Sequence, residues 1–600
     1  MSVDLEALRE RYRAERDKRL RPDGVEQYIE PSGAFGYFVE DPYVEKIDRD
    51  PIRRECEAVI VGGGFGGILT AAKLKDAGIE DLIVIEKGGG FGGTWYWNRY
   101  PGIACDMKSY VYLPLLEETA YMPPRNYASG EEIRAHADRI VSQWGLLQHG
   151  LFQTGVVAAE WQEDRARWRI STDRGDVIEA RWLVTAHGPM SKPKLPGIPG
   201  INTFQGHSFH TSRWDYGYTG GSADGGLTGL AGKRVAIIGT GATAIQCVPF
   251  LAEHAASLHV IQRTPSGIDA REEQSTDPDW AAGLRPGWHQ ELMDNFNILT
   301  SGGAAEADLI DDGWTFLFTK IQSAAKQAGA GSGDPLTDFL NAAELADAEK
   351  MEEIRARVDL VVKDPATAES LKPWYRRFCK RPVFHDGYLE TFNRDNVTLI
   401  DTQGRGVDEI TETGFRIGDT HHAVDCIIFA SGFEVGTDFA RRAGYDIAGR
   451  DGRSLHAVWS EEFATLHGMH VHGFPNLFIH QTAQGALPAN FCHGLLESAK
   501  SIAAIISHAR ASGATTAEVT AEAQAEWVEH CKAVSSIQMG FFERCTPGYY
   551  NLEGKLTVEA AQGFGYGAGP AVFFRLVDEW RSNGAFAGLT CSAADFAAVD

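Results

Sequence analysis

No stretch of this 600-residue chain approaches the ~18 uninterrupted apolar residues of a membrane-spanning helix. Nor does the N-terminus, MSVDLEALRERYRAERDKRLRPDG, contain the apolar centre of a secretory signal, so a cytoplasmic location is expected. Positive charge is scarce: 57 Lys and Arg against 82 Asp and Glu leave a net charge of −25. That balance argues against nucleic acid or an anionic membrane as the main partner. Cysteine is sparse and scattered, at Cys56, Cys105, Cys247, Cys379, Cys426, Cys492, Cys531, Cys545 and Cys591. The count is odd and no two are spaced C-x-x-C. Neither a disulfide framework nor a zinc site is expected, and a reducing compartment is. Short-period repeats are absent. What remains, 43% apolar and 23% charged residues, is ordinary globular composition with length for two to four domains.

Glycine, by contrast, is abundant and placed. Glu57–Val61 reads as a buried parallel strand that runs into Gly62-Gly63-Gly64-Phe65-Gly66-Gly67 and then a helix. This is G-x-G-x-x-G in the context that gives it meaning. Gly62 allows the tight turn, Gly64 lets a pyrophosphate approach the backbone, and Gly66 and Gly67 open the helix for close packing. Glu86 closes the next strand, Leu82–Ile85, where an acid accepts from ribose hydroxyls and disfavours a 2′-phosphate. FAD and NAD both fit. The aromatic, glycine-rich Gly92–Gly102, with Thr94, Trp95, Tyr96 and Trp97, is suited to wrap a flavin and points to FAD.

A second unit follows. Arg234–Ile238 leads into Gly239-Thr240-Gly241-Ala242-Thr243-Ala244, a G-x-G-x-x-A turn. The next strand ends in Gln262-Arg263-Thr264, with Arg263 where an NAD site places an acid. A guanidinium fork matches a 2′-phosphate, so this site is expected to take NADPH. Two nucleotide sites in one chain imply hydride transfer between their cofactors. Without a paired redox cysteine beside the flavin loop, oxygen is the leading electron acceptor.

The fold class expected is α/β, with two Rossmann-like dinucleotide-binding domains and a helical insertion. The boundaries read as an N-terminal extension over 1–54, a first nucleotide domain over 55–190 and 424–600, a second over 191–274 and 371–423, and a polar helical insertion over 275–370. Residues 4–20 read as an exposed helix, and the extension is expected to pack across the first nucleotide domain. The proline-rich SKPKLPGIPG at 191–200 reads as a linker, and GAGSGD at 329–334 is of low complexity. Val424–Gly432 resembles Arg181–Gly188 in character and is expected to return the chain to the first domain.

Between the two nucleotide motifs lies Phe204–Asp215, spaced F-x-G-x-x-x-H-x-x-x-W-D. With this segment, the glycine turns, GGTWYWNRYPG-x-x-CD at 92–106, Lys380-Arg381-Pro382 leading into Tyr388–Val397, Asp425–Phe433 and Gly473–Phe478, the chain resembles type I Baeyer–Villiger monooxygenases from about residue 55 to its end. The Trp214-Asp215 ending separates this pattern from related flavin monooxygenases that act on nitrogen and sulfur.

The resemblance implies NADPH- and O2-dependent conversion of ketones to esters or lactones through a flavin peroxide, with ketone and oxygen as partners and no metal. It places Arg381 as the catalytic arginine, whose fixed charge suits an anionic reagent and intermediate. It places Asp106 as the acid that orients Arg381. Lys380 becomes a second 2′-phosphate contact. Thr240, Gly241, Ala242, Thr243 and Gln246 line the NADP, and Thr94 to Trp97 and Tyr112 line the FAD. Phe491 belongs to the active-site loop. His210 and Trp214 read as parts of a mobile linker, with Trp214 a hydrogen-bond donor to cofactor. Departures from the family pattern are His187 for the usual Thr or Ser, Ala104 where some members carry Arg, and residues 480–491 in place of a glycine–serine-rich loop. The N-terminal extension and Cys545–Asn551 resemble the subgroup acting on large cyclic ketones. The alternative is a monooxygenase of the same architecture acting on sulfur or nitrogen.

Overall fold

Two sheets, each carrying a glycine turn at the end of a central parallel strand, border one cleft. The computed structural model describes residues 3–328, 334–435, 437–556 and 565–593. In the first sheet, Arg53–Val61 lies between Leu82–Ile85 and Val177–Thr185, parallel to both. Ala58, Val59 and Ile60 are fully buried. Covered on both faces, the Ala58–Val61 half of this strand is a continuous apolar run and not an alternating one. Helix Phe65–Asp76 follows the glycine turn and packs against helix Phe491–Ala511. An antiparallel meander, Val156–Gln162, Arg167–Thr172 and Val177–Thr185, extends the sheet.

The second sheet is parallel throughout, in the order Val397–Asp401, Ser257–Gln262, Arg234–Ile238, Cys426–Phe429, His207–His210. Two expectations fail here. Cys426–Phe429 does not return the chain to the first domain, whose sheet is re-entered later, by Ile447–Ala448 beside Val156–Gln162 and then by Leu477–Ile479 beside Val177–Thr185. An apolar strand buried on both faces fits either sheet, and its pattern does not say which. His207–His210 is no linker but the edge strand beside Cys426–Phe429. Its four residues are too few and too polar to announce a register.

The insertion contributes helices Trp288–Thr300, Thr315–Ala328 and Pro335–Val361. Of the low-complexity stretch between the last two, residues 329–333 lie outside the described residues. The N-terminal helix, Leu5–Asp17, is capped by Asp4 and lies against the insertion, with Arg16 also donating to the Glu543 carbonyl at 3.2 Å. Arg9 pairs with Glu344 at 2.5 Å, and Arg355 donates to Tyr12 at 3.3 Å. The later part of the extension reaches the first sheet, where Arg49 forks onto Asp176 at 2.6 and 2.7 Å.

Cysteine usage brings a further correction. Cys379 and Cys545, 166 residues apart, are disulfide-bonded with Cα atoms 5.0 Å apart. Sequence spacing screens only local pairs, and the tertiary fold alone makes these two neighbours. The other seven are free, and six of them are buried.

Candidate active site

The first glycine turn leaves no room for side chains. Gly62 has φ +116°, and a Cβ there would sit 2.5 Å from the carbonyl oxygen of Ala186. A Cβ on Gly67 would lie 1.9 Å from the oxygen of Gly62. Gly62, Gly64 and Gly66 line the cleft, and Gly67 lies behind it at the helix–turn contact. Glu86 is buried at its strand end, accepting from the backbone N–H groups of Gly63 at 2.6 Å and Gly88 at 2.7 Å. Burial raises its pKa despite those two donors. Bare glycine backbone, a helix N-terminus and an acid beside it fit the adenosine diphosphate half of FAD.

Thr94, Trp95, Trp97, Tyr112 and Phe491 also line the cleft, and the Trp95 indole donates to the Tyr112 hydroxyl at 2.9 Å. Tyr96 does not. Its hydroxyl turns away to donate to Asp41 at 2.6 Å, because adjacent residues of the short helix Thr94–Trp97 face different sides.

The second turn repeats the first. Gly239 has φ +119°, and a Cβ there would meet the oxygen of Ala430 at 2.4 Å, as Gly62 would meet Ala186. Thr240, Gly241, Ala242, Thr243, Gln246 and Thr264 border the cleft. Gln246 bridges the halves, accepting from Tyr100 and donating to the Ala104 carbonyl, each at 2.9 Å. Arg263 and Lys380 meet at the cleft wall with Lys194, from the proline-rich segment. Burial pushes the Lys380 ammonium down to about 8, with Arg263, Arg19 and Lys194 adding to the effect and Glu553 opposing it.

Arg381 and Asp106, 275 residues apart, form a two-pronged pair: Nη2 to Oδ1 at 2.5 Å and Nε to Oδ2 at 3.2 Å. Burial works against the guanidinium charge, yet the adjacent carboxylate outweighs it and raises the pKa of Arg381. Such an arginine stays charged at any working pH. Sequence reasoning missed Trp314, from the insertion. Its ring lies 5.2 Å from the Arg381 guanidinium carbon, and its Nε1–H donates to the Asp106 carbonyl at 2.9 Å. Phe318, Phe378 and Leu487 give the same cleft apolar walls. No sequence signal distinguishes Trp314 from the other aromatics of a helical segment.

Trp214, expected at the cofactor, is 1% exposed and absent from the cleft wall. Its indole donates to Thr219 at 3.1 Å and packs on Phe209. His210 is fully buried against Ser212, and burial pushes its pKa down to about 3. Both are drawn into the core by the edge strand. His187, half-buried at the cleft wall between Phe439 and Tyr445, is held neutral by desolvation, which pushes its pKa down to about 3.

The cleft, about 2070 Å³, thus joins two nucleotide cradles and a fixed guanidinium–carboxylate pair under an apolar wall. Residues 59–307 match the family model described as pyridine nucleotide-disulphide oxidoreductase. The chain is 48% identical to neopentalenolactone D synthase of Streptomyces avermitilis, over 96% of this chain and 98% of that protein. It is 47% identical to a Baeyer–Villiger monooxygenase of Streptomyces coelicolor, over 96% and 95% of the two chains. Among solved structures, a polycyclic ketone monooxygenase from the fungus Thermothelomyces thermophila superposes with a TM-score of 0.90. That protein is 37% identical, with 98% of this chain and 99% of the other covered.

Proposed function

The chain belongs to the Baeyer–Villiger monooxygenases, and from this we propose that it uses NADPH and O2 to convert bulky cyclic ketones into lactones. One oxygen atom enters the bond between the carbonyl carbon and its neighbour. The other leaves as water, and NADPH supplies the two electrons. FAD, when bound, relays those electrons and activates the oxygen.

The chain's own residues do the rest. The glycine turn at Gly62–Gly67 and Glu86 hold the adenosine diphosphate half of FAD, and Thr94, Trp95, Trp97 and Tyr112 bound the flavin side. The turn at Gly239–Ala244 takes the NADPH pyrophosphate, and Arg263 and Lys380 take its 2′-phosphate. Arg381 holds a permanent positive charge where negative charge develops on the substrate's carbonyl oxygen. A charge held rigid by its carboxylate partner needs little reorganisation as the reaction proceeds. Asp106 fixes the plane of that guanidinium. Phe318, Phe378 and Leu487 offer apolar area to a ring system.

The observation that carries this reading is the two-pronged Arg381–Asp106 pair placed between two nucleotide cradles. The test is NADPH consumption by the FAD-loaded enzyme across ketones from cyclohexanone to polycyclic ketones, with product identification. Ketone-dependent lactone formation is expected, and NADPH consumption that no ketone stimulates would overturn the assignment. Among the described residues no helix is long and apolar enough to cross a membrane.

A further inference from the structure

Glu553 is almost wholly buried, yet it is a carboxylate seated in the group of cations assigned above to the 2′-phosphate. Its Oε1 accepts from Lys194 Nζ and from the Tyr28 hydroxyl, both at 3.1 Å, and its Oε2 from Arg263 Nη2 at 3.4 Å. Lys380 faces the same carboxylate. The other terminal nitrogen of Arg263 is also engaged, donating to Gln27 at 2.5 Å. With one N–H of each terminal nitrogen already bonded, Arg263 meets a phosphate only with its remaining N–H groups, and the Glu553 charge lies beside them.

The backbone reinforces the placement. Leu552, Glu553 and Gly554 have φ of +50°, +57° and +87°. Two consecutive non-glycine residues in the left-handed region are costly, and such conformations persist where surrounding contacts hold them. Here the holding contacts are the bonds of the Glu553 side chain together with the Glu553 N–H on the Gly548 carbonyl at 2.8 Å and the Gly554 N–H on Asn551 at 3.1 Å. The charge count is equally specific. Three cations, Lys194, Arg263 and Lys380, converge on one carboxylate, which leaves a surplus of two positive charges for a phosphate that carries nearly two negative ones.

We propose that Glu553 is a specificity-determining residue of the NADPH site, an internal anion that competes with the 2′-phosphate for Arg263, Lys194 and Lys380. It keeps three buried cations from repelling one another and, in doing so, weakens the grip on NADPH and NADP+. NAD+ and NADH, which have no group to compete, are unaffected. The inference rests on the assignment of Arg263 to the 2′-phosphate.

The test is calorimetric titration of the FAD-loaded, full-length protein with NADP+ and with NAD+. Glu553→Gln keeps an acceptor oxygen for Lys194 and Tyr28 but removes the charge. Its Kd for NADP+ is expected to fall about tenfold, since a like charge beside the ligand is removed, while its Kd for NAD+ stays put. Unchanged or weaker NADP+ binding would overturn the proposal, because Glu553 would then be only a support for the cations. Should Glu553→Gln fail to retain FAD, Glu553→Asp keeps the charge but draws it back from Arg263. A smaller tightening for NADP+ is expected of it, and weaker binding counts against the proposal. Arg263→Ala separates the two readings. If it weakens NADP+ and NAD+ alike, the Arg263 assignment fails. If it weakens NADP+ alone and the Glu553 variants do not tighten, only the competition fails.

Discussion

Trp314 touches both members of the Arg381–Asp106 ion pair at once: its indole N–H donates to the Asp106 carbonyl at 2.9 Å while its ring faces the Arg381 guanidinium at 5.2 Å. One side chain of the insertion therefore bears on two residues supplied by different domains. Trp314→Phe keeps the ring and loses the hydrogen bond. Lactone formation should slow about fivefold, the worth of one modest buried hydrogen bond. Trp314→Ala removes the ring as well and should slow it further. In both, FAD reduction by NADPH in stopped flow should stay at the wild-type rate. Loss of both rates together would mean that Trp314 merely supports the fold.

Arg381→Ala removes the permanent charge from the cleft. FAD should still bleach with NADPH, but lactone yield per NADPH should fall by about 10²–10³-fold, the range for loss of one preorganised donor. Arg381→Lys should recover little, since an ammonium cannot meet Asp106 with two parallel bonds. Product analysis by gas chromatography against peroxide release decides the matter. Normal lactone yield from Arg381→Ala would remove Arg381 from the mechanism.

Arg263→Ala should raise KM for NADPH about 10- to 100-fold, since it removes a charged hydrogen-bond donor from a phosphate. KM for NADH should hardly move. Steady-state kinetics with both coenzymes check this, and equal effects on the two would show that Arg263 reads no 2′-phosphate.

Burial pushes Lys380 down to about 8. Below that pH the ammonium is charged and available to the phosphate. Above it the free enzyme loses the proton, so binding NADP+ must first restore it. Affinity for NADP+ should be flat below about pH 8 and then fall, by up to about tenfold per pH unit. Titration in two buffers of different ionisation heat should reveal proton uptake near pH 9. In Lys380→Met the fall above pH 8 should vanish.

Gly67 tolerates no side chain, since its Cβ would lie 1.9 Å from a backbone oxygen. Gly67→Ala should separate helix Phe65–Asp76 from its turn at a cost of about 3 kcal/mol or more. The purified protein should show a reduced flavin-to-protein absorbance ratio and a lower Tm. Full flavin content at an unchanged Tm would contradict the packing described.

Much of this molecule is local and was therefore legible in its sequence. Glycine turns must follow strands and precede helices, so Gly62–Gly67 and Gly239–Ala244 declare two nucleotide units, and Glu86 and Arg263 distinguish them by charge. Those features depend on residues within one strand–turn–helix and need no knowledge of the rest of the chain. The family resemblance added Arg381 and Asp106, which spacing alone could not relate.

Only the tertiary structure decided the rest. It placed Cys426–Phe429 in the second sheet because strand pairing is long-range and an apolar strand suits either sheet. It buried Trp214 and turned Tyr96 from the cleft, since the side a residue faces depends on what packs against it. It joined Cys379 to Cys545 across 166 residues. It brought Trp314 under Arg381 and Glu553 among Lys194, Arg263 and Lys380, contacts between distant segments that leave no periodic trace in sequence. The sequence by itself determined which cofactors the chain is built to hold. The fold decided which side chains stand beside them, because local pattern sets secondary structure while proximity is set by packing.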